Sequence, residues 1–270
     1  MVHGPDRDLA DAADLEARES ERVSTDGPWA TDKTLSQDLL GPDAADLAAA
    51  AMAMACRLAS GATLFCAAPS WPWHARHVAS ELAPPAEDRR PPIRANTVPD
   101  GPLWESLRPL AHGGDILLAV SGSAEAALTG IRQRTEAWGL LTVWIGVGPR
   151  PEPGSADYVL WSDDDGTAAS YGGRLAHVIH LLCELTLSCL EHPRVGASAP
   201  AACTDEVCIT CSDEGRLGEV VKIWTDGRAE VRTADGPEEV DTTLIETARP
   251  GDLVLIHAGL ALALVGGSPR

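Results

Sequence analysis

The stretch that decides the fold of the first part of the chain is DILLAVSGSAEAALTGIRQRTEAWGLLTVWIGV, residues Asp115–Val147. It opens with Asp115–Val120, which is apolar after its first residue, and closes with a second apolar run, Leu140–Val147. Continuous apolar runs are typical of parallel strands that are covered on both faces. The intervening segment has the pattern of a helix that continues to about Trp138 and ends at Gly139. The stretch therefore predicts a strand–helix–strand unit within a doubly wound parallel α/β sheet.

The same pattern continues on both sides of this unit. Short apolar runs at Ala62–Ala67 and Ala156–Trp161 predict two further buried strands, and helical patterns cover residues 41–61, 71–82 and 166–191. Residues 1–30 are rich in acids and almost free of large apolar side chains, which predicts a disordered acidic leader. The α/β domain is therefore expected to occupy residues 31–192.

The periodicity changes after residues 193–204, which are rich in Pro, Gly, Ser and Ala and are predicted to be a linker. Five short strand patterns follow, with Asp226-Gly227 and Asp235-Gly236 as hairpin turns between them. About 65 residues with five strands are enough for a small OB-like β-barrel. The expected fold class is α/β plus β, with the barrel at residues 205–270.

Charge and composition exclude several function classes. The 270 residues contain 40 acids and 21 Lys or Arg, a formal net charge of −19, so binding to nucleic acid or to an anionic membrane surface is disfavoured. The apolar runs Ala44–Leu58 and Leu253–Val265 are shorter than the ~20 residues that a membrane helix needs. The N-terminus has no apolar signal core, so a cytoplasmic protein with reduced cysteines is expected.

Residues Asp115–Trp138 resemble the sugar isomerase (SIS) domain and, within it, the phosphoheptose isomerases; the resemblance covers about residues 35–192. It implies a sugar phosphate ligand, such as sedoheptulose 7-phosphate, bound by Ser121 and Ser123 of the SGSAEA loop. It also implies that His77, Glu81 and His180 correspond to active-site residues of the family.

Several residues depart from the family pattern at this site. Glu125 lies inside the serine loop and repels phosphate, and the segment AAPSWP after the first strand has prolines where a phosphate loop needs backbone N–H groups. We therefore expect no catalytic residues, with His77, Glu81 and His180 as relics of an isomerase site. A working isomerase or sugar-phosphate sensor stays the alternative.

Two blocks near the C-terminus resemble the HupF/HypC family of NiFe-hydrogenase maturation chaperones, over about residues 207–266. One is Cys208 followed closely by the strand GEVVKI, and the other is GDLVLIHAGLALAL at 251–264. The resemblance implies that the Cys208 thiolate helps to hold an iron atom with cyanide and carbon monoxide ligands, Fe(CN)2CO, with His257 nearby. The iron would pass to the hydrogenase large-subunit precursor with a HypD-like scaffold.

The acids around Cys208 and Cys211 bear on the state of these thiols. Negative neighbours disfavour a thiolate, whereas a bound dication deprotonates sulfur, so this environment suits a metal-bound cysteine better than a free nucleophile. We expect Cys208, Cys211 and His257 as the metal ligands, with iron carried transiently. A structural zinc site that also uses Cys203 is the alternative.

These observations predict a cytoplasmic accessory chaperone rather than an enzyme. Its expected partners are the HypD-like scaffold and the large-subunit precursor, with a sugar phosphate as a further ligand and a homodimer formed through the SIS domain.

Overall fold

The structure is a computed structural model that describes residues 44–82, 93–99, 101–122, 125–162, 168–191, 215–245 and 247–265. Residues Leu40–Arg270 form one compact unit. The predicted leader at 1–30 and the predicted linker at 193–204 lie outside the described residues.

Five parallel strands form the sheet of the α/β part, in the order β2-β1-β3-β4-β5. Helices separate most of the strands along the chain, so each crossover returns to the same end of the sheet, as in other doubly wound folds. The elements are α1 (Ala44–Ala59), β1 (Thr63–Ala67), α2 (Pro72–Glu81), β2 (Arg94–Thr97), α3 (Leu103–Leu107), β3 (Ile116–Gly122), α4 (Ile131–Ala137), β4 (Leu141–Val147), β5 (Tyr158–Ser162) and α5 (Ala168–Glu191).

The two faces of the sheet bury different side chains of the same strand. In β3, Ile116, Leu118 and Val120 belong to the core on the face covered by α1, α2 and α5. Leu117 and Ala119 belong to the core on the opposite face, under α3 and α4. All five side chains are fully buried, which explains why the strand is continuously apolar and confirms the predicted doubly wound arrangement.

The C-terminal strands form a closed barrel in the order β10-β8-β7-β6-β9. Small and β-branched side chains fill it, including Val220, Val231 and Ile256. The turns at Gly227 and Gly236 both have positive φ, as the Asp-Gly pairs predict. The strands are β6 (Arg216–Ile223), β7 (Arg228–Thr233), β8 (Gly236–Asp241), β9 (Leu253–His257) and β10 (Leu260–Val265).

The barrel packs directly against the α3–α4 face of the sheet. Leu253 of β9 is buried in the same core as Trp138, and Leu217 and Val265 pack against that core. At its centre, the Glu219 carboxylate is 1% exposed; it accepts hydrogen bonds from Arg108 and Arg134 at 2.6 Å each, and from the Trp138 indole at 2.7 Å. A buried carboxylate with three donors from the other part of the fold ties the barrel to the sheet.

Two elements escape the sequence patterns, and one predicted helix is shorter than expected. Strand β2 has the polar sequence RANT, and α3 has only five residues, so neither carries an apolar run or a helical period. The helix expected to follow the SGSAEAA segment begins only at Ile131, because Gly130 takes a left-handed conformation with φ of 69° and interrupts it.

Helix α5 contains the one described segment, Gly173–Glu191, that is long and apolar enough to cross a membrane by length and composition. Core helices of globular proteins pass the same test. In this structure Leu175, Ile179 and Leu182 of α5 pack into the core beside the sheet.

Candidate functional site

Three of the predicted site residues meet between helices α2 and α5. Helix α2 begins at Pro72, whose fixed φ and missing N–H suit the first turn of a helix. His77 and Glu81 lie one turn apart on the same face of α2, as their spacing predicts. His180 approaches them from α5, which lies beside α2 on the same face of the sheet.

The contacts within this trio, His77, Glu81 and His180, are short. The Nε2 atoms of the two histidines are 3.1 Å apart, so one ring donates a hydrogen bond and the other accepts it. Glu81 faces both rings, with Oε1 3.5 Å from His77 Nε2 and Oε2 3.4 Å from His180 Nδ1. The side chains are 21%, 35% and 47% exposed, in chain order, so the trio is open to solvent.

The trio offers two imidazoles and a carboxylate, with ligand atoms that all lie within 4.8 Å of one another. Two histidines and one carboxylate are the ligand set of many zinc and iron sites, and they leave open positions for water or substrate. Among the described residues it is the only such group. Without a metal, the same carboxylate and imidazoles can exchange a proton with a bound ligand.

A buried thiol lies close to the trio. Cys183 is one turn beyond His180 on α5, and burial raises the pKa of its thiol to about 12, with Glu81 and Glu184 adding to the effect. The thiol is therefore protonated at neutral pH. The place of Cys183 next to Glu81 is not visible in the helical pattern of the sequence.

The predicted phosphate-binding serines show a different arrangement. Ser121 is fully buried; its Oγ accepts a hydrogen bond from the Trp144 indole at 2.9 Å and donates one to the Gly122 carbonyl. Its hydroxyl is thus used inside the sheet. Ser123 lies outside the described residues, so sugar-phosphate binding by this loop stays a prediction.

The remaining predicted ligand, His257, ends strand β9 at one mouth of the barrel. It is partly buried and pairs with Leu260 across a two-residue turn, Ala258-Gly259. Because Arg216 pairs with Ile256, the chain enters β6 directly beside His257. Cys211 and Cys208 are four and seven residues before Gly215, outside the described residues. Four extended residues span up to about 13 Å and seven up to about 23 Å, so the length of the chain allows either thiol to reach His257.

The sequence of the barrel matches the model of a known family. Residues 215–267 match the model of the HupF/HypC family. The HupF/HypC match spans all five strands of the barrel and includes His257. It begins after Cys208 and Cys211, so it leaves the roles of both thiols as predictions. A comparison with curated proteins finds no match.

Solved structures similar to the chain include two phosphoheptose isomerases. One, from Francisella tularensis, is 18% identical with a TM-score of 0.48, and covers 66% of this chain and 97% of its own. GmhA from Neisseria gonorrhoeae is 15% identical with a TM-score of 0.46, and covers 67% and 99%. HobA from Helicobacter pylori is 13% identical with a TM-score of 0.41, and covers 68% and 93%. Likeness at this level carries no argument about activity. The chain thus joins a barrel that matches the HupF/HypC family model to a doubly wound α/β part.

Proposed function

We propose that this protein is a cytoplasmic accessory factor for NiFe-hydrogenase maturation, not an enzyme, and that its HupF/HypC barrel handles the iron centre. The match of the whole barrel to the HupF/HypC family is the observation that carries this proposal. His257 lies beside the point where the segment that carries Cys208 and Cys211 joins β6. This position supports the proposal, because thiol and imidazole ligands can then come together at one mouth of the barrel.

In this proposal Cys208 is the thiolate that holds or transfers the iron, Cys211 is a second ligand, and His257 supports them. Iron with cyanide and carbon monoxide ligands is cargo that passes to the large-subunit precursor with a HypD-like scaffold. Thiolates suit such a low-valent, soft metal centre.

The test is an infrared spectrum and an iron assay of the full chain, expressed with the hydrogenase-maturation proteins of its own cell and purified without oxygen. Cyanide and carbonyl stretches, which proteins lack, are expected with about one iron per chain. Cys208→Ala should abolish the bands and the iron, whereas Cys56→Ala, on α1, should keep both. Stoichiometric zinc and no such bands would instead indicate a structural zinc site.

The trio favours a second candidate function, in which the α/β domain binds a sugar phosphate and moves a proton. The contacts of Glu81 with both histidines support this, because a carboxylate beside two imidazoles can act as a general acid or base. Isomer exchange of sedoheptulose 7-phosphate that is lost in Glu81→Gln and kept in Glu184→Gln would establish it. Thermal stabilisation by the sugar phosphate without exchange would indicate a sensor.

Metal analysis separates the two candidates. If a metal is bound by the trio, His180→Ala should lower its content and Cys208→Ala should not. The iron centre of the barrel should show the opposite dependence.

A further inference from the structure

One edge of the barrel is left almost without a neighbouring strand. Strand β10 pairs with β9 along its length, but with β8 only at Leu260, opposite Asp241. From Leu262 to Val265, no described strand pairs with β10 on the side that faces away from β9. The barrel is therefore closed at one register pair and open beyond it.

The side chains of this free edge are unusually apolar. Leu260, Leu262 and Leu264 are 37%, 43% and 42% exposed, although the whole segment 260–265 contains no charged or polar residue. A bulge at Leu262 interrupts the ladder with β9. Edge strands that have no partner in the native state are commonly protected by charges or proline, and this one carries neither.

The charge next to the edge has a definite sign. Asp241, opposite Leu260, is close enough to feel the charge of Arg228, whose guanidinium is paired with Asp226 and Glu239. Three carboxylates around one arginine leave a net negative charge at the end of the edge where β10 begins. Hydrogen bonds from Thr243 hold the pKa of Asp241 below its usual value, so this charge persists at neutral pH.

We propose that the free edge of β10, residues 262–265, is a docking site for an extended segment of another protein, which adds as a strand to the barrel. The unpaired backbone selects a strand, the leucines select apolar side chains at alternating positions, and the negative end selects a basic residue. A second copy of the chain is a poor occupant, because its own edge has the same negative end and no basic residue, and because the edge offers few residues of contact. This site is independent of the iron chemistry proposed above.

Hydrogen exchange and peptide binding test the docking site on the full chain. The probe is a labelled synthetic peptide, Arg-Thr-Val-Thr-Val-Thr-Val, and its control carries Pro at the Thr positions and cannot form a ladder. We expect the amides of 262–265 that face away from β9 to exchange fast in the free protein and to slow on addition of the probe but not of the control. Replacing Arg with Glu in the probe should weaken binding.

Matched variants locate the binding to the edge. The double variant Leu262→Lys/Leu264→Lys should weaken probe binding about tenfold or more, since it removes two apolar contacts and adds charge. Leu244→Lys, at a leucine that is 61% exposed and outside β10, should not. Asp241→Asn should weaken binding of the probe that carries Arg, and should not weaken binding of the probe that carries Glu.

Three results would overturn the proposal. Slow exchange, at all concentrations of the free protein, of those 262–265 amides that face away from β9 would show that the chain covers its own edge. A wild-type dimer that the double lysine variant converts to a monomer would assign the edge to a second copy. Equal probe binding by the double variant and by Leu244→Lys would exclude the edge altogether.

Discussion

His74 is a buried histidine whose side chain belongs to none of the sites above. It is 1% exposed, its Nδ1 makes no hydrogen bond within the described residues, and its ring lies against Trp73. Burial lowers the pKa of His74 to about 4, and His77 adds to the effect. The folded protein therefore keeps this ring neutral at a pH where an unfolded chain, with a histidine pKa near 6.5, takes up a proton.

The stabilising contribution of neutral His74 should be complete above pH ~6.5 and should be lost as the pH falls towards 4. In His74→Phe, the free energy of unfolding should thus fall less between pH 7 and 4.5 than it does in the wild type. Denaturant titrations at several pH values measure this. His177→Gln, an exposed histidine on α5, should keep the wild-type slope, and an unchanged slope in His74→Phe would contradict the assignment.

Ala258 is strained at the turn beside His257. Its φ of 49° is left-handed, which costs an alanine on the order of 1 kcal/mol, and the next residue, Gly259, is also at positive φ. Two such residues define a turn that favours Asn-Gly. Ala258→Asn should therefore raise the free energy of unfolding by roughly 0.5 kcal/mol. Ala263→Asn, in strand β10, should lower it, and a loss of stability in both would refute the turn geometry.

The sequence could predict part of the trio and not all of it. His77 and Glu81 are on one face of a helix at any i, i+4 spacing, so their proximity follows from local structure. His180 is 103 residues from His77, and only the packing of α5 beside α2 brings the two rings to 3.1 Å. The family resemblance pointed to His180, but its contacts with both partners are a tertiary result.

At the scale of the elements, apolar runs predicted most of the strands, because a strand that is buried on both faces needs apolar side chains along its whole length. Polar or very short elements were not predictable in this way: RANT becomes a strand only because β1 offers it an edge. Gly139, at positive φ, follows the end of α4, as the sequence predicts. Gly130 is also at positive φ and delays the start of α4, which the sequence pattern did not predict.

Gly146 of β4 provides a sharp test of how the sheet packs. A Cβ at this position would lie 2.1 Å from the Trp161 ring and 2.2 Å from the Ser121 carbonyl oxygen. Since the backbone of β3 cannot yield without breaking the sheet, Gly146→Ala should destabilise by about 3 kcal/mol or more. Gly173→Ala, on α5 with open space around it, should instead stabilise by about 1 kcal/mol. Thermal unfolding of both variants decides between these outcomes.

For the whole molecule, the contact between sheet and barrel is the feature that the sequence concealed. Glu219 lies in strand β6 of the barrel, and a glutamate is seldom fully buried. It is buried here, because the outer face of β6 lies against Arg134 and Trp138. The pattern of a barrel strand alone cannot tell solvent from another domain on its outer face.

Replacing the Glu219 carboxylate should lower the stability of the folded protein. Glu219→Gln leaves two guanidinium groups without their counter-charge, so the free energy of unfolding should fall by roughly 3 kcal/mol. Glu239, a partner of Arg228, is 49% exposed. Glu239→Gln should therefore lower the free energy of unfolding by less than about 1 kcal/mol. Equal losses in the two variants would show that Glu219 contributes no more than a surface ion pair.

The shared core also bears on how the chain is made. When synthesis has passed Glu191, every strand of the sheet has been made, yet Trp138 and its neighbours still lack Leu217, Leu253 and Val265 to cover them. Until the last strand leaves the ribosome, a newly made chain therefore exposes an aggregation-prone apolar face. The arginines that later bind Glu219 lie on the same face. A chain that ends between Glu191 and the last strand, at a stop codon or on a stalled ribosome, should be degraded by proteases or held by chaperones. It should not be a stable, functional α/β domain.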